Sequence, residues 1–201
     1  MSYKEKILET AAALFAAKGY KDTSIAELSR LTGAAEGTIF HHFKNKEEIY
    51  IGVLEATKNG IVSRVEDAVF AKGSGSGLET VKDLVALFFR LSEEMHVEFR
   101  LLFRSHLYHL AGTNPALRED VEAIYNCFVD MLVEAIQKGV ADGSIRRDVS
   151  PNGQALILFS MVSGLLRFKM LSLFPVRSLY ADVLASCENM LKPQPMEGCS
   201  C

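Results

Sequence analysis

An all-α fold is the class this chain predicts, and three observations predict it. Apolar residues recur at three- and four-residue spacing between recognisable helix starts and stops. Strand-like alternation is absent. Only five prolines occur in 201 residues, and those at 115 and 151 sit where a helix begins.

The punctuation divides the chain into about nine helices. Ser2 and Glu5 form a capping box for the first, whose stripe of Ile7, Leu8, Ala11, Leu14 and Phe15 runs to a stop at Gly19. Ser24 caps the second, with Glu27 completing its box and Ile25 and Leu28 as its apolar face. Gly33 falls where a tight turn needs positive φ. The third helix, about Ala35 to His42, turns Ile39 and Phe43 inward and shows Glu36, Gly37, Thr38, His41 and His42 outward. Asn45 caps a fourth, with Glu48 in the box position, which runs to about Ala71. Lys72 to Gly77, KGSGSG, is a loop by composition. Leu78 begins a fifth helix and a sixth covers about Glu98 to Leu110, with no sharp signal between them. Asn114 and Pro115 open a seventh that Gly139 ends. Ser150 and Pro151 open an eighth that stops before Pro175, and a ninth runs to about Leu191, ended by Pro193.

The block Thr23 to Glu48, TSIAELSRLTGAAEGTIFHHFKNKEE, carries the most specific signal. Two short helices around a glycine turn, braced by the first helix, make a helix-turn-helix unit whose second helix enters the DNA major groove. The Thr-Ser start, the turn glycine, Gly-Thr-Ile-Phe-His-His-Phe and Asn-Lys-Glu-Glu resemble the DNA-binding domain of TetR/AcrR-type transcriptional repressors. The likeness is close over the first quarter of the chain and architectural beyond it. Three positions depart from the family pattern: Ala35 replaces a capping serine, Glu36 a basic or neutral residue, and Phe40 a tyrosine whose hydroxyl would reach a phosphate. Each departure weakens anchoring to the DNA backbone. The expected layout is a DNA-binding domain over 1–45, with the motif at about 24–43. A helical ligand-binding and dimerisation domain follows over 46–192, with 46–71 as connecting helix, and a flexible tail over 193–201.

The candidate DNA face comprises Ser24, Glu36, Gly37, Thr38, Phe40, His41, His42, Lys44 and Lys46. Thr38 can donate to a phosphate or touch a thymine methyl, and His41 can reach a base edge or a phosphate. Gly37 lets backbone approach DNA closely. Lys46 adds charge beside the first amides of the fourth helix. Phe43 is a packing residue, and Phe40 and His42 are partly so. Residues 1–50 hold seven basic and seven acidic side chains, and the whole chain has a net charge of −3. Contact with DNA must therefore rest on local placement rather than bulk charge, which excludes a generic nucleic-acid coat.

The eighth helix, QALILFSMVSGLLRFKMLSLF, is apolar nearly all round. It suits either a central helix of a monomer or one packed in its own subunit and against a second copy. Two-fold operators favour the homodimer, with Leu156, Ser160, Ser163, Gly164 and Leu184 as candidate contacts. Helices five to eight supply many aromatic and methionine side chains. An ordinary core is one reading of them. The family resemblance implies the other, a pocket for a small apolar or amphipathic effector, with Phe89, His96, Phe99, Phe103, His106, Tyr125, Phe128 and Phe159 as candidates. Arg104, His106, His109 and Tyr125 could orient such a molecule. His106 and His109 could share a metal only with a third ligand, and none lies nearby in sequence. No motif calls for a cofactor or a membrane. No nucleophile elbow, phosphate-cradling loop or acidic metal signature supports an enzyme. The charged amphipathic start and the short apolar runs predict a cytoplasmic protein. Cys199 and Cys201 read as an inert tail, with a redox or metal role as the alternative. A constitutive or architectural DNA-binding protein that senses nothing is the rival function.

Overall fold

The computed structural model describes residues 2–70 and 75–193, with side chains except at 69, 70, 177 and 178. Ten α-helices occur among the described residues, and none of these residues is in a strand. They are α1 (Tyr3–Lys18), α2 (Ile25–Thr32), α3 (Glu36–His42), α4 (Lys46–Phe70), α5 (Gly77–Glu94), α6 (His96–Leu102), α7 (Ser105–Ala111), α8 (Pro115–Asp142), α9 (Pro151–Met170) and α10 (Tyr180–Leu191). A 3₁₀ turn, Val176–Leu179, precedes α10. The loop residues Lys72 to Ser74, the expected end of the fourth helix at Ala71, and the tail from 194 with Cys199 and Cys201 lie outside the described residues.

The chain divides into two compact units. The first holds Met1–Arg64 and Glu94–Ile124; the second holds Val65–Glu93 and Tyr125–Cys201. The core of the first unit is built from Ile7, Phe15, Leu28, Ile39, Ile49, Tyr50, Phe99 and Leu107, all essentially inaccessible to solvent. Burying such side chains contributes about 1.5–3 kcal/mol each relative to exposure. Val81, Phe88, Phe128, Ile136, Leu158, Leu166 and Cys187 do the same in the second unit.

Local capping explains most helix starts. Ser2 and Glu5 exchange both bonds of a capping box, and Ser24, Asn45, Asn114 and Ser150 each accept from an amide three residues on. Three boundaries differ from the sequence expectation. The expected sixth helix is two, because Arg104 takes an extended conformation (ψ 132°) and sends its guanidinium to the Ala16 and Ala17 carbonyls at the end of α1. Those carbonyls have no intrahelical partner, so the break in one helix caps another. Gly139 does not end a helix but lies inside α8, packed against Ile145; Gly143, at φ +80°, follows the last helical residue. Gly77 is helical rather than loop. Its amide donates to Asp142 Oδ2 at 2.8 Å, and the Leu78 amide to Ser144 Oγ at 3.1 Å.

Candidate nucleic-acid interface and effector core

The helix-turn-helix forms from its own sequence signals. Ser24 Oγ accepts from the Glu27 amide at 3.2 Å, and Gly33 adopts a left-handed conformation (φ +73°) with its N–H on the Ser29 carbonyl at 2.9 Å. Leu28, Ala34, Ile39 and Phe43 are buried beneath the motif. On α3, Glu36, Gly37, His41 and His42 are exposed, Phe40 is half exposed at 49%, and Thr38 is half-buried. Lys44 is exposed just beyond, and a side chain at Gly37 would meet nothing within 4 Å. The Ala35 side chain makes no cap bond, so the first amides of α3 have no side-chain acceptor there.

Two expected roles change. Glu27 does not close a capping box with Ser24, because its carboxylate pairs with Lys18 instead. Lys46 is not a free phosphate ligand. Its ammonium donates to the Tyr20 and Thr23 carbonyls, both at 2.9 Å, and lies 4.4 Å from the Tyr20 ring centroid. The lysine thereby ties the turn between α1 and α2 to the start of α4. Two residues the sequence reading passed over complete this brace. Tyr20 stacks on His106 at 3.9 Å, and Tyr50 meets both rings edge-on at 5.3 and 5.0 Å. Burial pushes the Tyr50 hydroxyl up to about 12, with the Arg104 charge opposing, so it stays a neutral phenol. An aromatic immediately after the Gly19 stop was the one signal that could have flagged Tyr20.

The eight expected effector residues are distributed over both compact units. His96, Phe99, Phe103 and His106 belong to the first unit, and Phe89, Tyr125, Phe128 and Phe159 to the second. His96 is exposed, Phe99 is core, and Arg104 directs Nη2 to the carbonyls at the end of α1. In the second unit Phe88, absent from the expected set, centres a ring cluster. It lies 4.5 Å from Phe128 and 5.6 Å from Phe159, and Tyr125 lies 5.7 Å from Phe159. Phe89 stacks instead on Tyr180 at 4.0 Å. The void lined by Phe88, Phe128, Phe159 and their aliphatic neighbours is about 10 Å³, room for about one water. The space between these three rings is therefore small in this conformation.

Among the described residues of α9, Ala155, Leu158, Val162 and Leu166 are buried along one face. Its other side leaves Leu156 and Ile157 more than half exposed and Ser160 open, with Ser163, Gly164 and Leu184 of α10 half-buried. A side chain at Gly164 would touch nothing within 4 Å. His106 and His109 have ring centroids 6.4 Å apart, and no group of three metal-ligating side chains occurs among the described residues. Burial raises the thiols of Cys127 to about 12 and Cys187 to about 11, which leaves both unreactive at neutral pH. None of the described helices is long and apolar enough to cross a membrane.

An inward apolar face under an outward polar short helix, set by a glycine turn on a three-helix base, defines a helix-turn-helix DNA-binding protein. Residues 7–53 match the family described as bacterial regulatory proteins, tetR family. The chain is 28% identical to the transcriptional repressor KstR2 of Mycolicibacterium smegmatis over 74% of its own length and 70% of the relative's. The fold is shared with a putative transcriptional regulator of Saccharomonospora viridis solved with choline. That match has a TM-score of 0.83 at 20% identity and covers 95% of this chain and 98% of that one. It is shared also with FadR of Bacillus subtilis, solved with stearoyl-CoA, at a TM-score of 0.70 and 21% identity, covering 91% and 96%. Over residues 7–53 the chain carries the DNA-binding region of tetR-family transcriptional regulators, and it is similar to such regulators over most of its length.

Proposed function

We propose that the protein is a homodimeric repressor that leaves its operator when a small amphipathic effector opens the aromatic core of the second unit. The observation that carries the DNA-binding half is the face of α3, where Gly37, His41 and His42 are exposed above a fully buried Ile39. Thr38 and His41 read bases or phosphates, Lys44 contacts a phosphate, and Ser24, Glu36, Phe40 and His42 border the contact. Lys46 acts indirectly, by holding the turn. The DNA-binding domain spans 1–45, and α4 connects it onward. The bare α9 side with Leu156, Ser160 and Gly164, joined by Ser163 and Leu184, receives the second copy.

An amphipathic effector is favoured by the ring-rich lining of Phe88, Tyr125, Phe128 and Phe159, and by the stearoyl-CoA and choline carried by two structural neighbours. Because the void there admits about one water, binding requires a rearranged conformer rather than a preformed pocket. The constitutive repressor remains the second reading on the strength of that same small void.

The test is fluorescence anisotropy on a palindrome selected from random DNA. His41→Ala should change preference among site variants by about 1–3 kcal/mol per affected base pair. Lys44→Ala should weaken every sequence alike and reduce the salt slope by about one. Lys46→Ala should lower the melting temperature as well as the affinity. If His41→Ala and Lys44→Ala both bind like the parent, the α3 face is not the reading surface.

A further inference from the structure

Within the first unit, the turn after α1 and the start of α7 border an open cleft of about 560 Å³. That volume lies within the range of small-molecule sites. Five of its lining side chains are basic, Lys18, Lys21, Arg104, His106 and His109, against a single carboxylate, Asp22. Chain-level charge gives no reason for this excess, since the protein is net negative. Only part of the excess is neutralised internally. Lys18 is paired with Glu27, but Lys21 and His109 make no hydrogen bond or ion pair among the described residues. Arg104 spends only Nη2 on the α1 carbonyls, which leaves Nε and Nη1 without a protein acceptor. The Nε2 atom of His106 is buried and has no hydrogen-bond partner, an arrangement that carries a cost unless a partner arrives.

We infer that this cleft is a binding site for a small oxyanion carrying two or more negative charges, of phosphate or carboxylate chemistry. Guanidinium and ammonium donors recognise such groups by charge-assisted hydrogen bonds, and a multivalent ligand is required because single exposed ion pairs contribute little. The wall of the site is held in place: Tyr20 stacks on the His106 ring and has the Lys46 ammonium 4.4 Å from its centroid. The groups that set the potential at His106 are His109, Lys21 and Lys46, which with burial favour its neutral form, Glu47, which opposes them, and the lining Arg104 and Asp22. A bound anion reverses the sign of that environment, so it favours the imidazolium and gains the Nε2 donor. The site shares no lining residue with the aromatic cluster, and its test does not depend on operator binding.

The experiment follows the histidine ring protons by NMR in the full-length protein, titrated with pyrophosphate and, separately, with citrate, against sodium chloride at matched ionic strength. The expected result is a saturable shift of the His106 and His109 signals, with the His106 pKa rising on saturation. Lys21→Ala/His109→Ala, a change at two exposed positions, should weaken binding by about tenfold or more, since each lost charge-assisted bond contributes on that order. The His106 signal reports binding in the variant. Response to pyrophosphate alone identifies phosphate chemistry, and to citrate alone carboxylate chemistry. A shift matched by sodium chloride, or one unchanged in the double variant, overturns the site.

Discussion

His106 is stacked on Tyr20, edge-on to Tyr50, with its Nε2 buried and unpartnered. Burial is the largest cause of its lowered pKa, followed by the nearby His109, with Lys21 and Lys46 adding to it and Glu47 opposing. The consequence for stability has a definite sign. In the unfolded chain the imidazole titrates near its ordinary 6.5, whereas the folded protein resists the proton. The contribution is complete above pH 6.5 and is lost as pH falls through 6.5 toward the lower folded value. Carboxylates held low by hydrogen bonds, such as Glu79 and Glu188, lose theirs only below the ordinary carboxylate value of 4.5. His106→Phe keeps a ring for Tyr20 to stack on but cannot titrate. Its urea midpoint should therefore fall less than that of the parent between pH 7 and 5.5. Equal losses in the two proteins would show that His106 does not govern this window. Lys46 shows why such roles are hard to read from sequence. Its position beside a helix start suggested a phosphate contact, but the carbonyls it binds lie 26 and 23 residues away, at Tyr20 and Thr23.

At the level of elements, what was legible was local. Ser2, Ser24, Asn45, Asn114 and Ser150 cap within three residues, and Gly33 turns by its own backbone, so each could be placed before any tertiary contact was known. The break between α6 and α7 was not legible, because it serves carbonyls 88 and 87 residues away in sequence. Gly139 misled for a related reason. Glycine inside a helix reads as a stop, but here it is where α5 meets α8. A Cβ built on Gly77 would lie 2.0 Å from the Gly139 nitrogen and 2.5 Å from the Ala135 carbonyl. Those are backbone atoms, which cannot swing aside as a side-chain tip can. In an open helix, Gly→Ala stabilises by up to about 1 kcal/mol. Overpacking against backbone costs about 1–3 kcal/mol or more, so the clash wins. Gly77→Ala should accordingly destabilise the protein in urea unfolding. An unchanged or raised midpoint would mean that the two helices separate more readily than their contact implies.

For the whole molecule, the reading rests on coupling between effector and operator. A dimeric helix-turn-helix protein places two recognition helices about 34–36 Å apart or a multiple of it, so a palindrome should bind two protomers. Helix α4 begins at the Lys46 brace and is continuous through to Phe70, which makes it the physical connection from the reading head onward. The void lined by Phe88, Phe128 and Phe159 admits about one water, so an effector that enters there selects a conformer in which it is wider. If that conformer spaces the reading heads wrongly, effector and operator compete for the conformational equilibrium without sharing a surface. The coupling is limited to the effector's difference in affinity between the two conformers, typically about 1–3 kcal/mol, or roughly 5–150-fold in operator affinity. Linkage then fixes a second number: operator DNA must weaken effector binding by the same factor. Long-chain acyl thioesters and quaternary ammonium compounds, screened by thermal shift, are the first ligands to try. A hit would be titrated calorimetrically with and without saturating operator, and operator affinity measured with and without the hit. Matching factors would support induction through a shared equilibrium. A ligand that binds the core equally well in both titrations leaves operator affinity untouched, and with it the case passes to a repressor that senses nothing.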